Sequence, residues 1–540
     1  MSTATGNAAD IIELKIRMTN FENRVRDITD LCAGFTIYED LFAPTSSVEL
    51  LIIDAEGLPE TAPIVGDEHV TIIYKTRGLK KNKEEYQTRV RSFQIYKLSK
   101  KEEAQERQHS YILHGVDDHQ ILNECIDLNQ SYVGQNCTTA ISKIFESSFI
   151  KTNEEFRPFD KVKKLYGLNQ DDIIECNNSS FYIAPGVTPF ESIMYLKEEA
   201  EHKESAFSKY NTIGRSLGIT GNNNDYIFYQ DYQGFHLTTI TELKNEKPKF
   251  NFTVKDMAAE LDNKKSAIPE DDNQYNDDEE YTTVIAFKIK KTMDTIQHLS
   301  LGTYGNRIAA IDILTKRFDE KFFNYSEEYK KLNTLDVGRL HTKNSIYKFS
   351  GSTHTRFIPT ELLSSSIPTG VPTGFNNEIS NYSQTPYFYP IDKENPDETK
   401  DKVVGTISNK AANERLQKLI QNDGKIANPR RKHYSLNKKI SGKGILDTII
   451  IDIIIPGNSD VKIGDIINFY IPQTSSGLDD GLYNMFFGQG DPKFLVVNCA
   501  QSFNNTSSGY RTTLTIVKDS YKDELETIVE KVRNTKGTDQ

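Results

Sequence analysis

The residues whose types and spacing could do chemistry are few, and the first candidate is a short glycine-rich segment. Ser441-Gly442-Lys443-Gly444 resembles part of a phosphate-binding loop, in which glycines let backbone N–H groups approach a phosphate. The full GxxxxGK[ST] pattern needs an earlier glycine that is missing here, and a second glycine follows the lysine instead. We therefore interpret residues 441–444 as a turn that enters a strand, not as a nucleotide site.

Histidines and carboxylates are the next candidates. His109, His114 and His119 recur at five-residue intervals, which scatters them around a helix and puts them on alternating faces of a strand. A shared metal ion is therefore not predicted. Neither HExxH nor GxSxG occurs in the sequence. We predict no catalytic residues, no cofactor and no metal, although a glycosidase pair among the many carboxylates stays an open alternative.

Two charged segments could bind ions or partners. Residues 268–280 hold seven acidic residues among thirteen, but they lack the spacing and central glycine of an EF-hand, so a solvated linker is favoured over a calcium site. Residues 425–443 hold seven Lys or Arg and no acid. A solvated loop is the favoured interpretation of that basic stretch, and contact with an acidic protein or with DNA are the alternatives.

Length and composition limit the classes of function. A chain of 540 residues suggests roughly three to five domains. Its net charge of −12 disfavours general binding to nucleic acid or anionic membranes, because Lys and Arg drive phosphate binding. Aromatic residues make up 10% of the chain, which argues against general disorder, while the absence of Trp counts against carbohydrate stacking as its main task.

Cysteine usage and hydropathy bear on the compartment. The five cysteines are widely spaced without a CxxC pair, so neither a disulfide scaffold nor a zinc knuckle is predicted. No stretch approaches the roughly 18 apolar residues of a membrane helix. The first ten residues lack the basic and apolar regions of a secretory signal. We expect a protein that folds in a reducing cytosol and does not insert into membranes.

The periodicity of apolar residues predicts an α+β chain that is mainly β. Alternation predicts strands over 11–117, 281–290, 305–319 and 445–519, and helical spacing with a capping box at 188–191 predicts helices within 118–205. The predicted parts are a first β-barrel (10–117), a mixed helix and hairpin domain (118–245), an acidic linker (246–280), the first part of a second barrel (281–345), a Pro/Ser/Thr-rich insertion (346–440), the rest of that barrel (441–519), and a C-terminal helix and tail (520–540).

An internal repeat supports two related barrels. Ile52-Ile53-Asp54 precedes Gly66-Asp67 by eleven residues, and Ile450-Ile451-Asp452 precedes Gly464-Asp465 by the same number. An apolar strand follows each Gly-Asp, and glycine permits the positive φ that such turns need. The pattern predicts one module present twice, in separate barrels, with the two glycines in equivalent turns; a chance match is the alternative. Three such chains around an axis would present six similar barrels.

The order of several short motifs resembles the central hub protein of contractile-tailed bacteriophage baseplates. The likeness spans about two thirds of the chain in pieces and leaves residues 256–280 and 345–440 without a counterpart. It is carried by Tyr38-Glu39-Asp40-Leu41-Phe42-Ala43-Pro44, the strand 48–54, Pro63-Ile64-Val65-Gly66-Asp67-Glu68, the strand 70–76, Pro189-Phe190-Glu191-Ser192-Ile193, Tyr226-Ile227-Phe228-Tyr229, Gly234-Phe235, Gly302-Thr303-Tyr304-Gly305-Asn306-Arg307, Asp312 and the strand 509–519.

The resemblance implies two tail-tube-like antiparallel β-barrels with an inserted mixed α/β domain and long loops. It implies a structural, non-enzymatic homotrimer in the virion tail baseplate, assembled in the host cytoplasm. Its partners would be the threefold spike or cell-puncturing protein, the tail-tube initiator and tube proteins, and other baseplate proteins. DNA would only pass through the lumen during ejection. A glycan-cleaving or receptor-binding tail enzyme is the alternative function.

Overall fold

The architecture is taken from a computed structural model of the chain. It describes residues 11–19, 24–61, 63–76, 87–105, 108–132, 135–151, 167–176, 182–200, 202, 225–254, 283–312, 317–325, 332–338, 429–471, 492–504, 509–522 and 524. The acidic segment 268–280, most of the insertion 346–440 and most of the predicted C-terminal helix lie outside the described residues.

Strands dominate the described chain, and most of their pairings are antiparallel, which confirms the mainly β prediction. The strands are β1 (Ile11–Thr19), β2 (Val25–Asp27), β3 (Cys32–Asp40), β4 (Ser47–Asp54), β5 (His69–Thr76), β6 (Gln87–Gln105), β7 (Gln108–Val116), β8 (Tyr226–Asp231), β9 (Gly234–Thr239), β10 (Phe250–Val254), β11 (Thr283–Val284), β12 (Ala286–Lys291), β13 (Gly305–Asp312), β14 (Arg317–Asn324), β15 (Ile449–Pro456), β16 (Ile466–Tyr470), β17 (Lys493–Asn504) and β18 (Gly509–Lys518).

Helices are fewer and mostly short. They are α1 (Leu58–Thr61), α2 (Asp118–Cys125), α3 (Cys137–Phe145), α4 (Pro189–Glu199), α5 (Ile240–Asn245), α6 (Thr295–Ser300) and α7 (Pro429–Leu446), with a π-helical turn at Glu146–Lys151 and a 3-10 turn at Gln170–Asp172. The predicted start of α4 is confirmed in detail, because Thr188 caps Glu191 and Glu191 caps Thr188 in return. Within the described residues, no helix has the length and apolar character needed to cross a membrane.

A fourteen-stranded sheet consists of two repeats with the same strand order. The first repeat (β1 to β7) has the neighbour order β3-β4-β7-β6-β5-β1-β2. The second repeat (β10, β11, β12 and β15 to β18) has the order β12-β15-β18-β17-β16-β10-β11, so each strand occupies the place of its counterpart. One difference is that β10 runs parallel to β16, whereas β1 runs antiparallel to β5.

A shared irregularity supports the equivalence of the repeats. In the first repeat a bulge interrupts the pairing of β6 with β7 between Ile95 and Lys97. In the second repeat a bulge interrupts the pairing of β17 with β18 between Val496 and Asn498, at the same step of the ladder. Bulges are specific features of a sheet rather than random defects, so their common position argues for a true structural repeat.

The motifs that suggested the repeat are not themselves equivalent. Asp54 points inward and accepts the backbone N–H of Leu58 at 2.6 Å, whereas Asp452 is paired with Lys290 at 2.7 Å. On the neighbouring strands, Asp452 and Glu49 face residues that occupy equivalent positions in the two repeats. These two acids therefore correspond. The expected match of Ile-Ile-Asp segments is therefore wrong in register, although the modules that contain them do repeat.

The two glycines of the repeat lie in similar turns that differ by one residue. Gly66 has φ of 104° and Gly464 has φ of 86°, a region in which side chains are disfavoured. The backbone oxygen of Glu68 accepts the N–H of Ile95, and the backbone oxygen of Asp465 accepts the N–H of Val496. Ile95 and Val496 both precede the shared bulge, so Glu68 corresponds to Asp465. Gly66 lies two residues before Glu68, whereas Gly464 lies one residue before Asp465.

In each repeat, the strand at one end of the order is followed in the chain by the strand at the other end. β2 pairs with β1, and the chain then turns through residues 28–31 into β3, which pairs with β4. In the second repeat β11 pairs with β10, and β12 follows after Ile285 and pairs with β15. The chain thus connects the two ends of each strand order, although among the described strands β2 does not pair with β3 and β11 does not pair with β12.

Two separate sheets were expected, but the repeats share one. β17 of the second repeat pairs with β3 of the first, from Asn498 opposite Asp40 to Asn504 opposite Gly34. Phe503 and Tyr510 of the second repeat consequently pack into the apolar core of the first repeat. The prediction of independent sheets is wrong because a free strand edge of one repeat is completed by the other.

The region between the repeats forms a helical unit with one hairpin. β8 and β9 pair as predicted, and α3, α4 and the hairpin share an apolar core rich in phenylalanine. Residues 250–254, predicted as part of a linker, form β10 instead, because Phe250 and Phe252 are buried beside β16. β13 and β14, predicted within the second barrel, form a hairpin of their own.

Candidate functional site

Buried charge is present at the contact between the two repeats, here called the repeat junction. It comprises β3, the second half of β17 and the side chains packed around them. Its ladder is reinforced by side chains, since the hydroxyl groups of Thr36 and Ser502 lie 3.1 Å apart. Tyr74 and Tyr510 both donate to the Gln501 Oε1 atom, at 2.9 and 3.2 Å.

A buried ion pair lies at the centre of the junction. The Arg91 guanidinium on β6 donates to Glu39 Oε1 on β3 at 2.7 Å and to the Ser46 hydroxyl at 2.9 Å. Both charged side chains are almost fully shielded from solvent. Burial raises the pKa of Glu39, and the positive charge of Arg91 opposes that effect. The pair therefore fixes β3 against β6 by contacts that tolerate little displacement.

The helical unit is attached to the junction through Gln230 of β8. Its Oε1 atom accepts the backbone N–H of Ser46 at 2.9 Å, and its Nε2 atom donates to Asp117 Oδ2 at 2.9 Å. Asp117 in turn caps α2 and contacts His119 Nδ1 at 2.5 Å. One amide side chain thus links the first repeat to the beginning of the helical unit.

A second group of charges links the helical unit to the second repeat. His236 Nδ1 lies 2.6 Å from Asp172, and its Nε2 atom lies 2.9 Å from Asp231. Asp231 also meets Lys462 of the second repeat at 3.2 Å. Burial would raise the pKa of Asp231, but His236 and then Lys462 lower it to about 2. For His236, burial lowers the pKa, yet Asp231 and then Asp172 raise it above the ordinary value.

Arg89 provides a further contact across the repeats. Its guanidinium donates to the Ser459 carbonyl at 3.1 Å and to Asp460 at 3.3 Å, and it lies 3.8 Å from the centre of the Tyr232 ring. The contact joins β6, the loop after β15 and the hairpin of the helical unit. The charged side chains of the junction and its surroundings pair with one another. This arrangement is suited to holding the first repeat, the helical unit and the second repeat in fixed positions.

The glycine-rich segment 441–444 was predicted as a turn, but it lies in the last turns of α7. The Lys443 ammonium contacts Glu198 at 2.5 Å, and the backbone of Gly444 lies so close to Thr303 that a Cβ atom would fall 2.2 Å from its hydroxyl oxygen. The glycine therefore serves close packing of α7. The prediction of a strand-entering turn is wrong, and this segment shows no phosphate-binding arrangement.

The three histidines of the sequence are separated by the structure. His109 and His114 lie on β7, and His114 Nε2 is 2.7 Å from the Ser99 hydroxyl. His119 lies on α2 among phenylalanine rings, with its ring centre 4.8 Å from that of Phe235. In the described ranges, no three side chains of His, Cys, Asp or Glu gather as the ligands of a metal would.

The basic stretch was predicted as a solvated loop, yet its described part from Pro429 onward is helical. Lys439 is buried and meets Glu198 at 2.8 Å, beside the contact of Lys443 with the same carboxylate. Burial would raise the pKa of Glu198, but these two lysines lower it to about 2. The end of the basic stretch is therefore engaged within the chain, by contact with the C-terminal end of α4.

Sequence reasoning missed the buried charges of the junction, although a signal for one of them was present. Arg91 alternates with Phe93 and Ile95 on β6, so the strand period places all three on the buried face. A charged residue at a core position is rare unless it is paired. That pattern predicts a buried partner, but the period does not reveal that the partner is Glu39.

Among the described residues, the strands that correspond to β3 and β17 have edges without a paired strand. β3 corresponds to β12, and β17 corresponds to β6. Within the described residues, β12 pairs with β15 alone, and β6 beyond Gln94 pairs with β7 alone. Ile37 on β3 is 1% exposed, whereas its counterpart Ile289 on β12 is 38% exposed. The described strands thus form one contact of this kind and leave one pair of complementary edges without a partner.

Comparisons with known proteins give structural likeness only. No family model and no curated protein matches the sequence. A tail protein from Neisseria meningitidis aligns over 94% of this chain and 97% of its own, with 10% identity and a TM-score of 0.43. A prophage tail protein from Shewanella oneidensis aligns over 94% and 99%, with 11% identity and a TM-score of 0.41. A prophage tail protein from Listeria monocytogenes aligns over 96% and 99%, with 10% identity and a TM-score of 0.38. Likeness at this level does not establish the function of the chain.

Proposed function

We propose that this chain is a structural, non-enzymatic subunit of a phage tail baseplate, and that three copies form its hub. The observation that carries the proposal is the repeat junction. The two equivalent modules are already joined edge to edge, and among the described strands the corresponding edges of β12 and β6 have no partner. Repetition of that contact between chains is head-to-tail, and head-to-tail contacts generate rings when the rotation closes.

The contact between copies can be specified residue by residue from the contact inside the chain. Thr36 of β3 lies beside Ser502 of β17. The ladders make Lys288 the counterpart of Thr36 on β12, and Glu102 the counterpart of Ser502 on β6. In the ring, Lys288 of one copy therefore lies beside Glu102 of the next, and opposite charges attract across that contact.

The number three follows from the proposed relationship to baseplate hubs. Three chains with two modules each present six modules, which adapts a threefold spike to a sixfold tail tube. The lumen of such a ring would leave a passage for DNA during ejection. The net charge of −12 suits this role, because like charges limit the retention of DNA phosphates.

The partners follow from the two faces of the ring. One face would continue into the tail-tube initiator and tube proteins, and the opposite face would seat the spike or cell-puncturing protein. The segments 268–280 and 351–400 would contact other baseplate proteins at the periphery. The virion tail would be the site of action, after assembly in the host cytoplasm.

The test is a charge swap at the proposed contact, read out by light scattering after size-exclusion chromatography. The wild-type chain of 61.5 kDa should elute as a trimer that images as a ring along its axis. Lys288→Glu and Glu102→Lys should each shift the protein toward folded monomer, and the double variant should recover the trimer. A wild-type monomer would overturn the proposal, as would reproducible cleavage of peptidoglycan or surface glycan by the purified chain.

A matched control keeps the swap specific. Lys290→Glu changes the charge of the same strand, but Lys290 already pairs with Asp452 within its own chain. Lys290 lies on the same face as Lys288, but a bulge between Ile289 and Lys291 takes it out of the register that places Lys288 beside Glu102. We expect Lys290→Glu combined with Glu102→Lys to fail to restore the trimer. Recovery by that pair would show that overall charge, not the proposed register, governs assembly.

A further inference from the structure

A pair of buried cysteines lies at the beginning of α3 in the helical unit. Cys137 is the first residue of this helix. Cys176 follows the 3-10 turn and forms an isolated antiparallel β-bridge with His202. Both side chains are almost fully buried. The backbone N–H of Thr138, the residue after Cys137, donates to Cys176 Sγ at 3.4 Å, which brings Cys176 beside Cys137 at the start of α3.

The sulfur of Cys176 occupies the place of a helix cap. Asn136 stands at the capping position, yet its side chain makes no capping hydrogen bond. Instead Cys176 Sγ accepts the backbone N–H of Thr138 at 3.4 Å and the Thr138 hydroxyl at 3.5 Å. The Thr138 hydroxyl in turn accepts the backbone N–H of Cys176 at 3.4 Å. The positive end of a helix favours a negative group there, and a thiolate is such a group.

The other buried cysteines have different surroundings. Burial raises the pKa of Cys32 to about 12, and burial also raises the pKa of Cys499. For Cys176, the hydrogen bond from Cys137 and the contacts with Thr138 outweigh burial and lower the pKa to about 6. Thiolates, not thiols, react with oxidants. The contacts of Cys176 therefore favour its thiolate form beside a second cysteine, whereas burial favours the thiol form of Cys32 and Cys499.

We propose that Cys137 and Cys176 form an oxidisable dithiol site that takes a hydroperoxide as its oxidant and closes to a disulfide. The Cys176 thiolate attacks one peroxide oxygen, the O–O bond breaks, and the departing hydroxide takes up a proton. The sulfenic acid formed on Cys176 is then attacked by Cys137, which loses its proton. The S–S bond forms, and hydroxide leaves with that proton as water. In total two thiols are oxidised, and one hydrogen peroxide is reduced to two waters.

The consequence is a covalent link between α3 and the segment 167–176. Closing the chain between residues 137 and 176 restricts the unfolded state and should stabilise the helical unit. The site stands on its own contacts and does not depend on ring formation. A thiol pair of this kind would stay reduced in a reducing cytosol and close in oxidising surroundings.

The test uses the full-length Cys125→Ser protein, which removes the exposed cysteine. Folded protein is treated with hydrogen peroxide, quenched, alkylated in denaturant and mapped by mass spectrometry without reduction. We expect a peptide linking Cys137 to Cys176, a loss of two hydrogens and a melting temperature raised by several degrees. Adding Cys32→Ser should leave the link intact, whereas adding Cys176→Ser should abolish it and leave Cys137 free for alkylation.

Two results would overturn the proposal. The first is full alkylation of Cys137 and Cys176 after a peroxide dose that oxidises the exposed Cys125 of the wild-type protein. The second is Cys176 found as sulfinic acid beside a free Cys137, which would mean that the second thiol cannot reach the first. Both results are read from the Cys125→Ser protein itself, so a Cys176→Ser variant that fails to fold does not affect the decision.

Discussion

Arg91 shows at the scale of single residues how the repeats are held. Its guanidinium forms hydrogen bonds with Glu39 and Ser46, and the helical unit reaches the same serine through Gln230. Removing one partner of a buried ion pair leaves an uncompensated group, which is more costly than losing an exposed pair. The relative positions of β3, β6 and the helical unit therefore depend on a few hydrogen bonds.

We expect Arg91→Met to lower the free energy of unfolding by about 3–5 kcal/mol, because it leaves Glu39 buried and unpaired. Replacing both residues, as in Glu39→Leu with Arg91→Met, should cost less than the single change, since no unpaired charge remains. The control is Arg26→Met at the exposed pair with Glu56, where the cost should stay below about 1 kcal/mol. Urea titration measures each value, and equal costs at the two pairs would contradict the prediction.

The charge on His236 makes part of the stability depend on pH. Its pKa in the folded protein is raised above 6.5 by Asp231 and Asp172, against the opposing effect of burial. A raised folded pKa gives stabilisation that is complete below the unfolded pKa and is lost as pH rises through the folded value. We expect wild type to lose stability from pH 6 into the alkaline range relative to His236→Gln.

Urea titrations of wild type and His236→Gln across that pH range measure the effect. His109→Gln is the control, because His109 lies on β7 opposite Asp54 and outside the group formed by His236, Asp231 and Asp172. The difference between wild type and His236→Gln should shrink with rising pH, and the His109→Gln variant shows how much of that change is specific to His236. A wild-type advantage that grows with pH would show that the histidine is stabilised in its neutral form.

At the scale of elements, close approach of two strands determines where glycine is required. Gly457 follows β15 and donates its backbone N–H to the Tyr510 carbonyl at 2.9 Å. A Cβ atom at this position would fall 1.9 Å from a ring carbon of Tyr510. Tyr510 in turn belongs to the core of the first repeat and donates to Gln501. This turn therefore supports the repeat junction as well as its own strand pair.

Gly457→Ala should reduce the free energy of unfolding by about 3 kcal/mol, because the ring of Tyr510 must move out of a packed position. Gly167→Ala is the matched control, since an added Cβ there meets nothing within 4 Å, and its effect should stay within about 0.5 kcal/mol. Thermal and urea unfolding of both variants test the expectation. Equal stability of the two variants would indicate that Tyr510 shifts without cost.

At the scale of the whole molecule, assembly should depend on the sheet edges and not on the long polar segments. Apolar residues fill the strands of both repeats, whereas seven of the thirteen residues in 268–280 are acidic. Stable ring contacts need large apolar interfaces, and a polar segment would lose entropy on ordering. The proposed trimer is thus expected to be independent of the acidic segment.

We predict that deleting residues 268–280 leaves the trimer intact in light scattering. The deletion falls between β10 and β11, whose mutual pairing ends the strand order of the second repeat. Ile467→Asp serves as the contrasting variant, because Ile467 is fully buried on β16 and an unpaired charge there should prevent folding. A folded but monomeric deletion variant would place the assembly determinants in the acidic segment.

Local pattern predicted much of the fold. Alternating residues predicted the strands of both repeats, and the capping box at Thr188 and Glu191 predicted the start of α4. Local pattern did not predict the elements whose conformation depends on packing against residues far away in the sequence. Residues 250–254 form a strand because β16 lies beside them, and residues 441–444 remain helical because α7 packs on Thr303 and Glu198.

The sequence alone determined that the chain is mainly β and contains a repeated module, because side-chain periodicity and turn residues act over a few positions. Only the tertiary structure decided the register of that repeat, the shared sheet and the pairing of Arg91 with Glu39. Those features depend on which strand edge meets which, and on residues far apart in the chain. A strand's own sequence specifies its buried face, whereas its neighbours are selected by the packing of the whole molecule.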